Sequence, residues 1–211
     1  MKPYVILLAA ILLSIPASNT QGKEYTRLLQ SVRNLQQQRD GGTICTVSLI
    51  NKAKGYWLTA AHCVDGDGQL FINNEPAFIT NVTAIEGGGG DMAILMSPTA
   101  TAPRALKLAK HGPKFGDMVR VAGYPVGTGP LITPGQVTNP YLFVLHYREW
   151  LTVFSMEVCG GNSGSAVVNS RDEVISVLTR YYYPPPYPCS GMSAGTPYQT
   201  LRAFAGKYFE R

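Results

Sequence analysis

Leu58-Thr59-Ala60-Ala61-His62-Cys63 is the stretch on which the reading of this chain turns. Two others complete it: Asp91-Met92-Ala93-Ile94-Leu95 and Gly160-Gly161-Asn162-Ser163-Gly164-Ser165. Together they supply a histidine, a carboxylate and a serine, in that chain order. A serine hydroxyl is a poor nucleophile at neutral pH, so it needs a base to take its proton and a buried anion to hold that base in the right tautomer. The order excludes the α/β-hydrolase arrangement, in which serine comes first and histidine last around a G-x-S-x-G elbow. Position 165 is Ser165, so that elbow is absent.

Outward from these segments, apolar runs with β-branched content predict strands over 43–50, 55–61, 69–72, 78–84 and 91–96. A Thr/Pro/Ala stretch at 98–103 reads as a link between two halves. Further strands are expected near 118–123, 129–137, 140–147, 150–156, 165–168 and 173–179. With 22 glycines and 15 prolines, many short strands punctuated by turns indicate an all-β protein, built as closed barrels or as a sandwich. Tyr25, Leu28, Leu29, Val32 and Leu35 recur at helical spacing, predicting an N-terminal helix over 24–40 that Gly41-Gly42 ends. Leu201, Phe204, Ala205 and Tyr208 predict a C-terminal helix over 198–209.

Lys2, the apolar run Tyr4 to Pro16 and small Ala17 have the pattern of a secretory signal over residues 1–17. The run is shorter than the ~20 residues a membrane-spanning helix needs, so no stable membrane association is expected after its removal. The four cysteines agree with an oxidising compartment, secreted or periplasmic, and can pair in three ways. They lack zinc-site spacing, and no phosphate-cradling glycine motif is present, so neither a metal nor an organic cofactor is implied. The net charge is +5, but Lys and Arg are scattered rather than clustered, which argues against a nucleic-acid partner. Asn81-Val82-Thr83 has the pattern of a glycosylation acceptor in a eukaryotic secretory pathway.

T-A-A-H-C around His62, D-M-A-I-L at Asp91 and G-N-S-G-S at Ser163 resemble the trypsin-like (chymotrypsin-fold) serine peptidases over roughly residues 43–211. The resemblance implies two antiparallel β-barrels, the first about 43–103 and the second about 104–211, with residues 18–42 as a helical extension. It implies an endopeptidase acting on protein or peptide substrates through an acyl-enzyme, with His62 as base, Asp91 orienting it and Ser163 as nucleophile. The backbone N–H groups of Gly161 and Ser163 would form the oxyanion hole. The disulfides implied are Cys45 to Cys63, closing the histidine loop, and Cys159 to Cys189, tying the serine loop to the wall of the specificity pocket.

For substrate binding the same resemblance places Glu157 at the floor of that pocket, Thr179 and Arg180 on one wall and Gly195 near the other. Arg or Lys substrates are then expected unless Arg180 neutralises Glu157. Asn162 stands where digestive trypsin-like enzymes keep an aspartate that pairs with a freshly cut N-terminus, so activation by that ion pair is not expected. G-N-S-G is closer to bacterial and HtrA-type forms, although a full HtrA architecture, with a PDZ-sized segment after Arg211, is not expected. The contrasting expectation is a binding protein on the same scaffold that has lost turnover. An intact His62, Asp91 and Ser163 argue against it.

Overall fold

The computed structural model describes residues 27–83, 90–182 and 189–210; the signal segment lies outside them. Six strands close a first barrel: β1 (Val32–Gln36), β2 (Cys45–Asn51), β3 (Tyr56–Thr59), β4 (Leu70–Ile72), β5 (Glu75–Val82) and β6 (Ala93–Met96), in ring order β1-β2-β3-β6-β5-β4. The second half holds β7 (Lys107–Leu108), β8 (Met118–Gly123), β9 (Leu131–Val144), β10 (Glu149–Cys159), β11 (Ala166–Val168), β12 (Glu173–Tyr181) and β13 (Cys189–Gly195). Its order β11-β8-β9-β10-β13-β12 closes through the β11–β12 pairing, with β7 added parallel to β12. Helix α1 (Tyr198–Ala205) follows. The fold is the two-barrel, nearly all-β architecture expected. Among the described residues no helix is long and apolar enough to cross a membrane.

Strand alternation explains how the barrels join. β2 is buried along its whole length, because each of its faces is covered. Cys45, Val47 and Leu49 point into the first barrel, where they pack with Trp57 and Leu95. The alternate residues Thr46, Ser48 and Ile50 face the second barrel. There Ile50, with Leu58 and Ile94, shares one apolar seam with Ala166, Val177 and the α1 residue Leu201. Ser48 Oγ accepts the Ala166 N–H at 3.1 Å across that seam. A third cluster, including Val121, Phe154 and Ile175, fills the second barrel.

The N-terminal helix is shorter than expected. Of the described residues in 24–40 only 27–29 are helical, and Val32–Gln36 is a strand pairing with both β2 and β4. Leu28, Val32 and Leu35 mimic helical spacing. However, Val32 enters the seam and Leu35 the first barrel, and a strand puts residues an odd number apart on opposite faces. Barrel closure therefore overrides the local pattern, and residues 32–36 belong to the barrel rather than to an extension before residue 43.

Elsewhere, the strands expected over 129–137 and 140–147 are one strand, β9. Pro140 lacks a ladder N–H and falls where the pairing with β10 shifts between Leu151 and Val153, a bulge that accommodates it. α1 is shorter than expected: it ends at Ala205, and the chain turns so that Phe209 enters the seam.

Ile50 is fully buried, whereas Ile79 is 49% exposed. Ile50→Ala is expected to lower unfolding free energy by about 2–5 kcal/mol, against no more than ~0.5 kcal/mol for Ile79→Ala, as read from urea midpoints.

Candidate functional site

The seam delivers the chemistry-bearing residues. β3 runs into a 3₁₀ turn, Ala61–Cys63, that carries His62, and the Cys45–Cys63 disulfide pins the far side of that turn to β2. Asp91 lies two residues before β6, whose Ile94 anchors in the seam, and it is only 2% exposed. A buried carboxylate needs strong partners. The His62 backbone N–H donates to Asp91 Oδ1 at 2.9 Å, and His62 Nδ1 meets Oδ2 at 2.6 Å. With Nδ1–H committed to the carboxylate, a neutral ring keeps Nε2 as an acceptor. Burial raises the Asp91 pKa. The hydrogen bonds and charge of His62, followed by the charge of Arg180, outweigh burial and hold it below the ordinary carboxylate value.

Ser163 lies on a loop from the second barrel, after β10. Thr46 binds this loop from the first barrel, and its residue is wholly buried. Its N–H donates to the Ser163 carbonyl at 2.9 Å, and its hydroxyl donates to the Gly161 carbonyl at 2.9 Å while accepting the Tyr124 N–H at 3.0 Å. Gly161 and Gly164 have φ of 94° and 83°. A Cβ on the first would collide with the Tyr124 carbonyl, and on the second with the Thr59 hydroxyl. Both glycines are therefore required by conformation and by close approach. The Gly160 carbonyl accepts the Val126 N–H at 2.6 Å. A trans peptide turns the Gly161 N–H the opposite way. Neither that N–H nor the Ser163 N–H has a hydrogen-bond partner among the described residues.

His62 and Ser163 line one cleft of about 470 Å³, together with Gly160, Gly161, Thr179, Arg180 and Tyr181. No hydrogen bond joins the Ser163 hydroxyl to His62 among the described residues. Such bonds commonly tighten only when substrate is bound. Asn162 is buried and uncharged. The Cys159–Cys189 disulfide links the end of β10 to β13 just ahead of this loop. Potential metal-ligand atoms of Cys45, His62 and Cys63 lie within 4.8 Å of one another. The two sulfurs are joined to each other, which removes them as thiolate ligands.

Two residues expected in the specificity pocket, Glu157 and Gly195, are not among the described residues that line the cleft. Glu157 is exposed and absent from the described cleft lining, because its β10 neighbours Met156 and Val158 point into the second barrel. Gly195 sits inside the sheet between Thr152 and Leu178, where a Cβ would strike the Val177 carbonyl. Arg180 does not reach Glu157; it pairs with Asp91 at 2.6 Å and Glu149 at 3.3 Å. Thr46 and Glu149 escape a sequence reading. A threonine in an apolar strand and a glutamate at a hairpin base carry no local mark, and only tertiary pairing gives them a role.

Two barrels of this topology, with a histidine and a serine lining one cleft between them, define the trypsin-like class of peptidase domain. The profile of the family described as "Trypsin-like peptidase domain" matches residues 45–177, and the chain belongs to that family. Among relatives, it is 28% identical over 142 residues to the periplasmic serine endoprotease DegP of Salmonella typhimurium, covering 64% of this chain and 30% of DegP. It is 25% identical over 135 residues to the serine endoprotease DegS of Escherichia coli, covering 62% of this chain and 38% of DegS. The chain thus spans well under half the length of these relatives. Among solved structures, the HtrA-type protease AlgW with a tripeptide superposes with TM-score 0.68 at 21% identity, covering 84% of this chain and 60% of AlgW. Rv3671c from M. tuberculosis H37Rv, in an inactive form, gives TM-score 0.67 at 19% identity, with 96% of each chain covered. These likenesses carry the fold.

Thr46→Val keeps the shape but leaves the Tyr124 N–H and the Gly161 carbonyl without a partner. A loss of about 1–3 kcal/mol in urea unfolding is expected, with slower reaction of Ser163 toward a fluorophosphonate. For Asp91, a depressed folded pKa means stability that is present above the ordinary carboxylate value and lost as pH falls through the folded value. Asp91→Asn should therefore be less stable than wild type above about pH 4, and the gap should shrink below it, as measured by thermal melts across pH.

Proposed function

We propose that this chain is an exported serine endopeptidase that cleaves protein or peptide substrates, with Ser163 as nucleophile, His62 as general base and acid, and Asp91 orienting the ring. The observation that carries this reading is the clamp of both Asp91 carboxylate oxygens on His62, in a cleft that His62 shares with Ser163.

The Ser163 oxygen attacks the scissile carbonyl carbon while His62 Nε2 takes its proton, and the imidazolium so formed is stabilised by ionised Asp91. The carbonyl oxygen becomes an oxyanion beside the N–H groups of Gly161 and Ser163, where a single such donor is worth ~2.7–4 kcal/mol of barrier. His62 then protonates the leaving amine, and the ester left on Ser163 is hydrolysed by water activated by the same ring. Export is supported by the two disulfides, which persist in oxidising compartments, and by the signal pattern of residues 1–17. With Glu157 outside the cleft, an Arg or Lys preference is not part of this reading.

A fluorophosphonate probe should label the wild type at Ser163 and leave Ser163→Ala unlabelled, and His62→Ala should react slower by roughly a thousandfold or more. Wild type should also cleave an unfolded protein substrate. Absence of label from wild type, or equal label on Ser163→Ala, would overturn the proposal in favour of a scaffold that binds without turnover.

A further inference from the structure

Asp91 has two nitrogen partners on one oxygen, the His62 ring and the Arg180 guanidinium. His62 Nδ1 and Arg180 Nη1 each lie 2.6 Å from Asp91 Oδ2. The guanidinium is itself held: Nη1 also donates to the Thr179 carbonyl at 3.1 Å, Nη2 meets Glu149 Oε1 at 3.3 Å, and the Tyr147 ring centroid lies 5.6 Å from its carbon. Arg180 and Glu149 side chains are only 19% and 13% exposed, so solvent screens this chain of charges weakly. The ionisable groups facing the His62–Asp91 pair are Arg180 and Tyr181 from β12, Glu149 from β10 and Tyr147 from the β9–β10 turn. The order is therefore His62, Asp91, Arg180, Glu149, alternating in sign once the ring is protonated.

We propose, resting on the function assigned above, that Arg180 is a positioning residue for the reaction. It fixes the Asp91 carboxylate against His62 and offsets part of the negative charge that the ring meets. Glu149 sets the size of that offset. Arginine suits this task because it keeps its charge at every pH of interest and its fork reaches two carboxylates at once. Removing the cation favours the protonated ring, whereas removing Glu149 leaves Arg180 less compensated and disfavours it. A side chain that merely braced the fold would not give opposite signs.

The test is the pH profile of kcat/KM on a peptide substrate for wild type, Arg180→Gln, Arg180→Lys and Glu149→Gln. Alongside it, the His62 ring is titrated by NMR in each protein carrying Ser163→Ala. The acid limb and the ring midpoint should both move up by on the order of one pH unit in Arg180→Gln, stay near wild type in Arg180→Lys, and move down in Glu149→Gln. Limbs and midpoints that stay put, or that move the same way in Arg180→Gln and Glu149→Gln, overturn the inference. If Arg180→Gln does not fold, the downward movement in Glu149→Gln decides alone. A wild type that neither cleaves nor labels removes the proposed function, while the ring titration still reports on Arg180. An active wild type with unmoved midpoints removes only the role of Arg180.

Discussion

The docking of the Ser163 loop onto Thr46 is the constraint from which the rest of the site follows. Thr46 offers the loop its backbone N–H and its hydroxyl, and its own carbonyl accepts the Thr59 hydroxyl at 2.9 Å, three residues before His62. All these groups are removed from water, so any displacement of the loop leaves several polar atoms unpaired at once. One residue thus ties the strand that leads to the histidine to the loop that carries the serine. Gly161 and Gly164 are the consequence on the loop side, since nothing larger fits where the backbones meet.

Much of the fold is legible in the chain because local pattern and tertiary role agree. β2, β3, β8 and β12 are apolar, β-branched and bounded by turn residues, and they occupy the buried centres of the barrels. The misreadings fall where those two levels conflict. Val32 and Leu35 serve two different cores, and their spacing imitates a helix because the strand is covered on both sides. Cys189–Gly195 is built of small residues with little strand propensity, yet it forms β13 because β10 and β12 both offer it unpaired edges. Such strands are specified by their neighbours, which a linear reading does not see.

The site divides the same way. His62, Asp91 and Ser163 are legible because chemistry demands particular atoms and each sits in a short segment of small or apolar residues. The surrounding walls are not. Counting back from Ser163 places Glu157 in a pocket only if the intervening chain runs as in a longer loop; here β10 continues to Cys159, and strand alternation turns Glu157 outward. Arg180 reads as a wall residue and does line the cleft, but its length carries the guanidinium past the wall to Asp91. Which anion a long cation reaches is a matter of tertiary distance.

The magnitudes show why the junction is partly polar. Each of Ile50, Leu58 and Ile94 contributes roughly 1.5–3 kcal/mol by leaving water, so the seam's cohesion is apolar. Apolar burial has no direction, however, and a purely greasy seam would tolerate small slides between the barrels. The hydrogen bonds made at Thr46 and Ser48 add only ~1 kcal/mol each. When broken in the dry seam, each stranded group costs about 1–3 kcal/mol, and a slide would strand several together. The apolar residues therefore hold the two halves in contact, while the threonine and serine select one alignment, the one that sets the serine loop beside the histidine turn. Replacing those hydroxyls with methyl groups would keep the contact and lose the aim.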